Sequence, residues 1–185
     1  VDAPVRRASS EICMVNVLSP EGKHCRQGQG QIEQSYSEVM ALHTPLTELF
    51  GIDHPIVLAP MGDVSGGRLA AAVSEGGGLG LIGGGRGDLT MLATECQLAK
   101  QGTEKPWGVG LLTWAVNQEI IDWAIAQQPA AIILSFGDPA PFAKAIHDAG
   151  IPLLAQVHSL DEAKQALDAG VQALVAQGRE AGGHH

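Results

Sequence analysis

The feature that most constrains this chain is an alternation. A short apolar run gives way to a capped segment of helical periodicity, and then to another run. The runs are Pro55–Pro60, Gly78–Gly83, Trp107–Leu112, Ala130–Ser135, Pro152–Val157 and Val171–Ala176. Each is too short for a helix and nearly free of polar residues, as expected of strands covered on both faces of a parallel sheet. The segments between them carry helix signals. Asp88 and Asn117 stand at N-cap positions, Ser159-Leu160-Asp161-Glu162 has the form of a capping box, and Gly76, Gly102, Gly150 and Gly170 supply stops. Leu89, Leu92, Ala93, Cys96 and Ala99 fall on one helical face, as do Ile120, Ile121, Ala124 and Ile125. Ahead of the first run, Thr44 caps a short helix with Pro45 at its first position and Gly51 at its end.

Strand-then-helix modules recurring at intervals of roughly 20 to 30 residues call for an α/β fold with a parallel sheet. Two architectures satisfy the count: an open doubly wound sheet, or a (β/α)8 TIM barrel cut short. With 185 residues the chain falls below the roughly 250 of a closed barrel. The residues just past the runs favour the partial barrel, six modules with the last two missing. Met61-Gly62, Gly83-Gly84-Gly85, Thr113-Trp114, Ser135-Phe136-Gly137-Asp138, His158, and Gln177 onward are all polar or glycine-rich. A doubly wound sheet gathers its ligand groups at one switch point, whereas a barrel rings its whole upper face with them.

Residues 1–40 lack this pattern. The stretch from Gly22 to Gln31 is polar and glycine-rich, and cannot bury enough apolar surface to offset its ordering entropy. The expectation is a disordered leader, or sequence upstream of a start at Met40, ahead of a barrel domain over residues 41–185. A net charge of −9 and 4% aromatic residues leave no basic or stacking footprint for nucleic acid. No run reaches the roughly 18 apolar residues of a membrane span, and no signal peptide is visible, so a cytoplasmic location is expected. Cys13, Cys25 and Cys96 are odd in number and lack metal-ligand spacing, so neither a disulfide framework nor a metal site is expected.

Three stretches bear on chemistry. Gly78-Leu79-Gly80-Leu81-Ile82-Gly83 has G-x-G-x-x-G spacing, but its glycines lie inside a strand and a helix precedes them, which is the wrong context for a dinucleotide loop. Ala59-Pro60-Met61-Gly62 turns from a strand end towards a helix start. Gln177-Gly178-Arg179-Glu180-Ala181-Gly182-Gly183-His184 extends the last strand with an amide, a carboxylate, an imidazole and backbone N–H groups unobstructed by Cβ atoms.

Together with Leu79-Gly80-Leu81-Ile82-Gly83-Gly84-Gly85 and Ser135-Phe136-Gly137, the last two stretches resemble the nitronate monooxygenase family, flavin enzymes once called 2-nitropropane dioxygenases. The resemblance runs from about Leu42 to His185. It implies a (β/α)8 barrel that holds FMN and oxidises alkyl nitronates with O2 to carbonyl compounds and nitrite. It also implies that Pro60, Met61, Gly62, Gly83, Gln177, Gly182 and Gly183 lie along the flavin, with His184 as the active-site base or hydrogen-bond donor. A nitronate or nitroalkane and O2 would be its small-molecule partners. Two departures stand out. Gly110 occupies a position where many members carry an amide, and the seventh and eighth strands, whose loops hold the cofactor phosphate, are missing. The expectation is therefore that FMN binds poorly or not at all, and that open sheet edges are prone to self-association. A related FMN-type enoyl-acyl-carrier-protein reductase and a non-catalytic fragment are the alternative readings.

Overall fold

A computed structural model describes residues 42–178 and 180–181. The expected leader, together with Cys13, Cys25, Gly182, Gly183 and His184, lies outside the described residues.

The elements run α1 (Pro45–Phe50), α2 (Gly67–Glu75), β1 (Gly80–Gly83), α3 (Leu89–Gly102), β2 (Trp107–Leu112), α4 (Gln118–Ala126), β3 (Ala131–Ser135), α5 (Ala140–Asp148), β4 (Leu153–Val157), α6 (Leu160–Asp168) and β5 (Ala173–Ala176). The caps do what their residue types dictate. The Asp88 carboxylate accepts from the N–H groups of Thr90 and Met91, Asn117 from Ile120, and Ser159 from Glu162. Thr44 and Thr47 cap each other reciprocally, and Gly51 ends α1 at φ 63°.

The six expected strands are five strands and a bridge. Pro55–Pro60 does not form a full strand. It pairs with its neighbour only at Val57↔Leu79, where Leu58 donates to Leu79 and Leu79 to Ile56, both at 2.9 Å. The cause lies in its ends: prolines 55 and 60 have no N–H to give a ladder. Elsewhere the expected boundaries hold to within one or two residues, and β2 matches fully.

The five strands are all parallel and lie in the order β1-β2-β3-β4-β5. That order never reverses, so the sheet has no switch point. Right-handed crossovers then put every helix between strands on the same face. The core confirms it. Leu92, Cys96 and Ala99 of α3, Ile121 and Ala124 of α4, Ala143 and Ile146 of α5, and Ala166 of α6 share one cluster with Ile82, Val109, Leu111, Ile132, Leu134, Leu153, Ala155 and Leu174 of the strands. The alternate strand residues, Leu81, Ala131, Ile133 and Leu154, form a second cluster with Leu79 and with Leu46 and Phe50 of α1. One sheet face is thus covered by a ring of helices, and the other faces inward over α1. This is the wall of a partial TIM barrel.

α2 lies closest to the sheet. A Cβ on Gly80 would meet the Ala70 carbonyl oxygen at 1.9 Å, and one on Gly67 would meet that of Glu95 at the same distance. Glycine is what allows α2 to reach both β1 and α3 at backbone distance.

Candidate functional site at the strand exits

Because all strands are parallel, their carboxyl ends open on one rim. Period-two alternation decides which side chains point inward there. Low on the inner face these are Leu79, Leu81, Ala131, Ile133 and Leu154, packed with α1. Towards the exits the same inward series becomes Gly83 on β1, Gly110 and Leu112 on β2, Ser135 on β3, Gln156 on β4 and His158 just past it, and Gln177 after β5. The inner face therefore changes from apolar and filled to small or polar at the rim.

Gly83 and Gly110 make room for the segment that crosses them. A Cβ on Gly83 would lie 2.3 Å from the Met61 carbonyl oxygen and 2.9 Å from the Gly62 nitrogen, and one on Gly110 would lie 2.2 Å from Pro60 Cβ. An amide side chain at position 110 is incompatible with this placement of Pro60. Ser65 fixes the crossing. Its hydroxyl accepts from the Met61 N–H at 2.6 Å and lies 2.9 Å from the Met61 carbonyl, and its own carbonyl accepts from the Gly83 N–H at 2.8 Å. Met61 is held by its backbone while the residue stays 42% exposed, and nothing lies within 4 Å of where a Gly62 Cβ would be.

At the other end of the sheet, Gln177 sits among polar groups. Its Oε1 accepts from Gln156 Nε2 and lies 2.9 Å from His158 Nε2. The His158 ring stacks on Phe136, 5.3 Å between centroids at 26°, and its Nδ1 is 3.3 Å from Glu162 Oε2. The Glu162 carboxylate also accepts from the His158 N–H at 2.7 Å, one residue before the N-cap Ser159, so the capping box closes on His158 instead. That backbone N–H above all holds the Glu162 carboxyl below its ordinary range. Burial opposes it, while the imidazole and the Ser159 hydroxyl lower it further by smaller amounts. Between the two groups, Arg86 lies over the exposed Trp114 ring, 5.0 Å from its centroid.

The structure thus brings Pro60, Met61, Gly62 and Gly83 into one group, and places Gln177 at the exit four strands away on the same rim. At about 4.8 Å per strand the two would be roughly 19 Å apart along the sheet, a separation that barrel curvature shortens across the mouth. His158 and Phe136 stand in strand-exit stretches visible in the sequence, but none of Gln156, His158, Glu162 and Phe136 is among the expected site residues. For two of them a signal exists: counting in steps of two from the buried Leu154 puts Gln156 and His158 on the inner face. Among the described residues no group of acidic, cysteine and histidine side chains could hold a metal.

A profile of the nitronate monooxygenase family matches residues 43–128 and 113–185. The chain belongs to the nitronate monooxygenase family. It is 33% identical over 179 residues to a nitronate monooxygenase of Paraburkholderia phytofirmans, a match covering 75% of this chain and 49% of that protein. It is 32% identical over 146 residues to a Mycobacterium tuberculosis (3aS,4S,5R,7aS)-5-hydroxy-7a-methyl-1-oxo-octahydro-1H-indene-4-carboxyl-CoA dehydrogenase, covering 78% and 41% of the two chains. Among solved structures, FabK from Thermotoga maritima superposes with a TM-score of 0.73 at 32% identity, over 77% of this chain and 46% of that one. A nitroalkane oxidase from Streptomyces ansochromogenes gives 0.65 at 28%, over 76% and 50%. The chain spans about half the length of these members and neighbours, whose names include a monooxygenase, a dehydrogenase and an oxidase.

Proposed function

We propose that this chain forms the flavin-facing part of an FMN-dependent nitronate monooxygenase, which converts an alkyl nitronate and O2 to a carbonyl compound and nitrite. The observation that carries the reading is the change of character along the inner face. Apolar packing below gives way at the rim to Gly83 and Gly110, the Met61 side chain, and the Gln156–Gln177 amide pair. A flat, largely apolar ring with one polar edge fits such a surface: thioether and aliphatic groups against the ring, amides against the edge. Met61, Pro60 and Gly62 would lie along the ring, seated by Gly83, and Gln177 would bond its polar edge. When bound, the flavin supplies the electron-transfer chemistry between nitronate and O2.

The protein's own contribution is orientation and proton handling. Met61 is presented by a backbone tied at both its N–H and its carbonyl to Ser65, so the side chain can press on a ligand without the strand exit yielding. His184, with Gly182 and Gly183 before it, would bring an imidazole to the bound nitronate. Its nitrogen can take a carbon-bound proton from a nitroalkane or donate to an anionic nitro oxygen.

The test supplies the purified chain with FMN and propane 2-nitronate and follows oxygen uptake and nitrite release. FMN-dependent release of nitrite is expected. A second reading, flavin-dependent reduction of an unsaturated thioester by a nicotinamide, is favoured by relatives named as carboxyl-CoA dehydrogenases. It would be supported by nicotinamide oxidation that depends on an enoyl thioester, with no nitrite formed.

A further inference from the structure

The exits of β1 and β2 carry a cation that the flavin reading leaves without a task. After β1 the chain makes a turn, Gly84-Gly85-Arg86-Gly87, closed by the Gly87 N–H donating to the Gly84 carbonyl at 2.9 Å. After β2 it makes another, Leu112-Thr113-Trp114-Ala115, closed in the same way from Ala115 to Leu112 at 2.9 Å. The turns are tied to each other, because Gly84 donates to the Gly110 carbonyl at 2.7 Å and Leu112 to that of Gly85 at 2.8 Å. Arg86 and Trp114 each hold the third place of their turn, and the guanidinium lies over the indole, 5.0 Å from its centroid. A cation is attracted to an aromatic face by the ring quadrupole. That contact uses no N–H of the guanidinium, whose fork of donors matches the two oxygens of a planar oxyanion. The ion pairs among the described residues are Lys144–Asp148, His158–Glu162 and Lys164–Asp161, so Arg86 is in none of them. Trp114 is 60% exposed and Arg86 is exposed as well, which leaves both open to a ligand. Gly83 and Gly110, which seat the Pro60–Met61 crossing, belong to the same two strands. Arg86 follows Gly83 by three residues and Trp114 follows Gly110 by four, so their Cα atoms lie within roughly 11 and 14 Å of those glycines, the reach of an extended chain.

We infer that Arg86, steadied by Trp114, binds the anionic group of the substrate, its donor fork taking both oxygens of the nitronate. The inference rests on the flavin reading for the reaction, and it names the residue that selects the anion over its neutral conjugate nitroalkane. Those two compounds differ by one proton and are nearly the same size, so apolar contacts separate them poorly; a fixed positive charge separates them well. A carboxylate is the same kind of planar oxyanion. Isobutyrate, which matches propane 2-nitronate in size, should therefore compete for the fork.

The experiment uses the whole chain in mildly alkaline buffer. Nuclear magnetic resonance of the Trp114 indole N–H, assigned with Trp114→Phe, reads the subsite without any flavin. Propane 2-nitronate and isobutyrate should shift this signal saturably, and neutral 2-nitropropane should not. Arg86→Met, which has no charge to offer, should weaken both anions about tenfold, the weight of a charge-assisted hydrogen bond at an exposed site. Arg86→Lys, a charge without the fork, should fall between Met and the wild type. Nitrite release by the chain supplied with FMN is the second readout. There Arg86→Met should raise KM for the nitronate about tenfold with a smaller change in kcat, as expected when substrate binding is lost. A Trp114 signal that ignores the nitronate, in a folded chain whose Arg86→Met variant releases nitrite at the wild-type KM, overturns the inference and leaves the flavin reading intact. An equal response to 2-nitropropane overturns it as well, since charge would not be what is read. A saturable, Arg86-dependent response to both anions in a chain that takes up no FMN upholds the oxyanion site and removes the flavin reading.

Discussion

Gly83→Ala puts the crossing of Pro60–Gly62 over β1 to a direct test. The added methyl would sit 2.3 Å from the Met61 carbonyl oxygen, 2.5 Å from its carbon and 2.9 Å from the Gly62 nitrogen, all backbone atoms with no rotamer to escape into. Cβ contacts under 3.0 Å essentially never occur, so the oxygen must withdraw from 2.3 Å to at least 3.0 Å, about 0.7 Å. That movement pulls on the 2.8 Å bond from the Gly83 N–H to the Ser65 carbonyl and on both Ser65–Met61 contacts. Overpacking of this kind costs about 1–3 kcal/mol. A weakened buried hydrogen bond adds about 1 kcal/mol, giving roughly 2–4 kcal/mol in all. For a domain of this size that lowers Tm by roughly 5–15 °C, readable by circular dichroism or calorimetry. Gly62→Ala, in the same crossing but with open space at its Cβ, is the control and should melt like the wild type. A Gly83→Ala protein melting within about 2 °C of the wild type would refute the reasoning, since the crossing would then yield freely.

Three further outcomes are expected. Burial above all, with Lys100 opposing and Glu95 adding, pushes the Cys96 thiol from 9.0 up to about 11. At pH 8 about one thiol in a thousand is ionised, so site-resolved mass spectrometry should find Cys96 unalkylated by iodoacetamide until the chain is unfolded. Glu162 has a folded-state pKa below its unfolded value, so its contribution is present above the ordinary carboxylate range and is lost as pH falls through the folded value. The stability difference between wild type and Glu162→Gln, from urea melts, should accordingly be largest near neutrality and vanish in acid. On the proposed mechanism, in a chain completed through an eighth strand, His184→Ala should lower turnover at least tenfold while leaving FMN bound, measured by oxygen uptake beside flavin fluorescence.

The sheet was legible because its two signals are local. Apolar runs of strand length and N-caps such as Asp88, Asn117 and Ser159 each act within a few residues, and five of the six runs became strands where they stood. The sixth, Pro55–Pro60, has the same composition but lacks donors at its ends, so hydropathy named it a strand where hydrogen bonding allows only a bridge. Barrel and doubly wound sheet differ in strand order, a non-local property. The polar exits hinted at it, and the unbroken β1-to-β5 order decided it. That Pro60, Met61 and Gln177 stand at strand exits could be read because a strand end leading into glycine or amide marks a rim. The roles of Gly83 and Gly110 could not, since the space above them is filled by Pro60 and Met61, distant in sequence from β2. Nor could the partnership of His158 with Gln177, formed between the exits of adjacent strands.

Whether the strand exits of this half-barrel receive a flavin ring on their inner side is tested most directly by crystals of the chain grown with FMN. Ring density is predicted across the rim, with the Met61 side chain against it and the Gln177 amide at its polar edge. Density on the helix-covered face or at the amino ends of the strands, away from both residues, would contradict that placement.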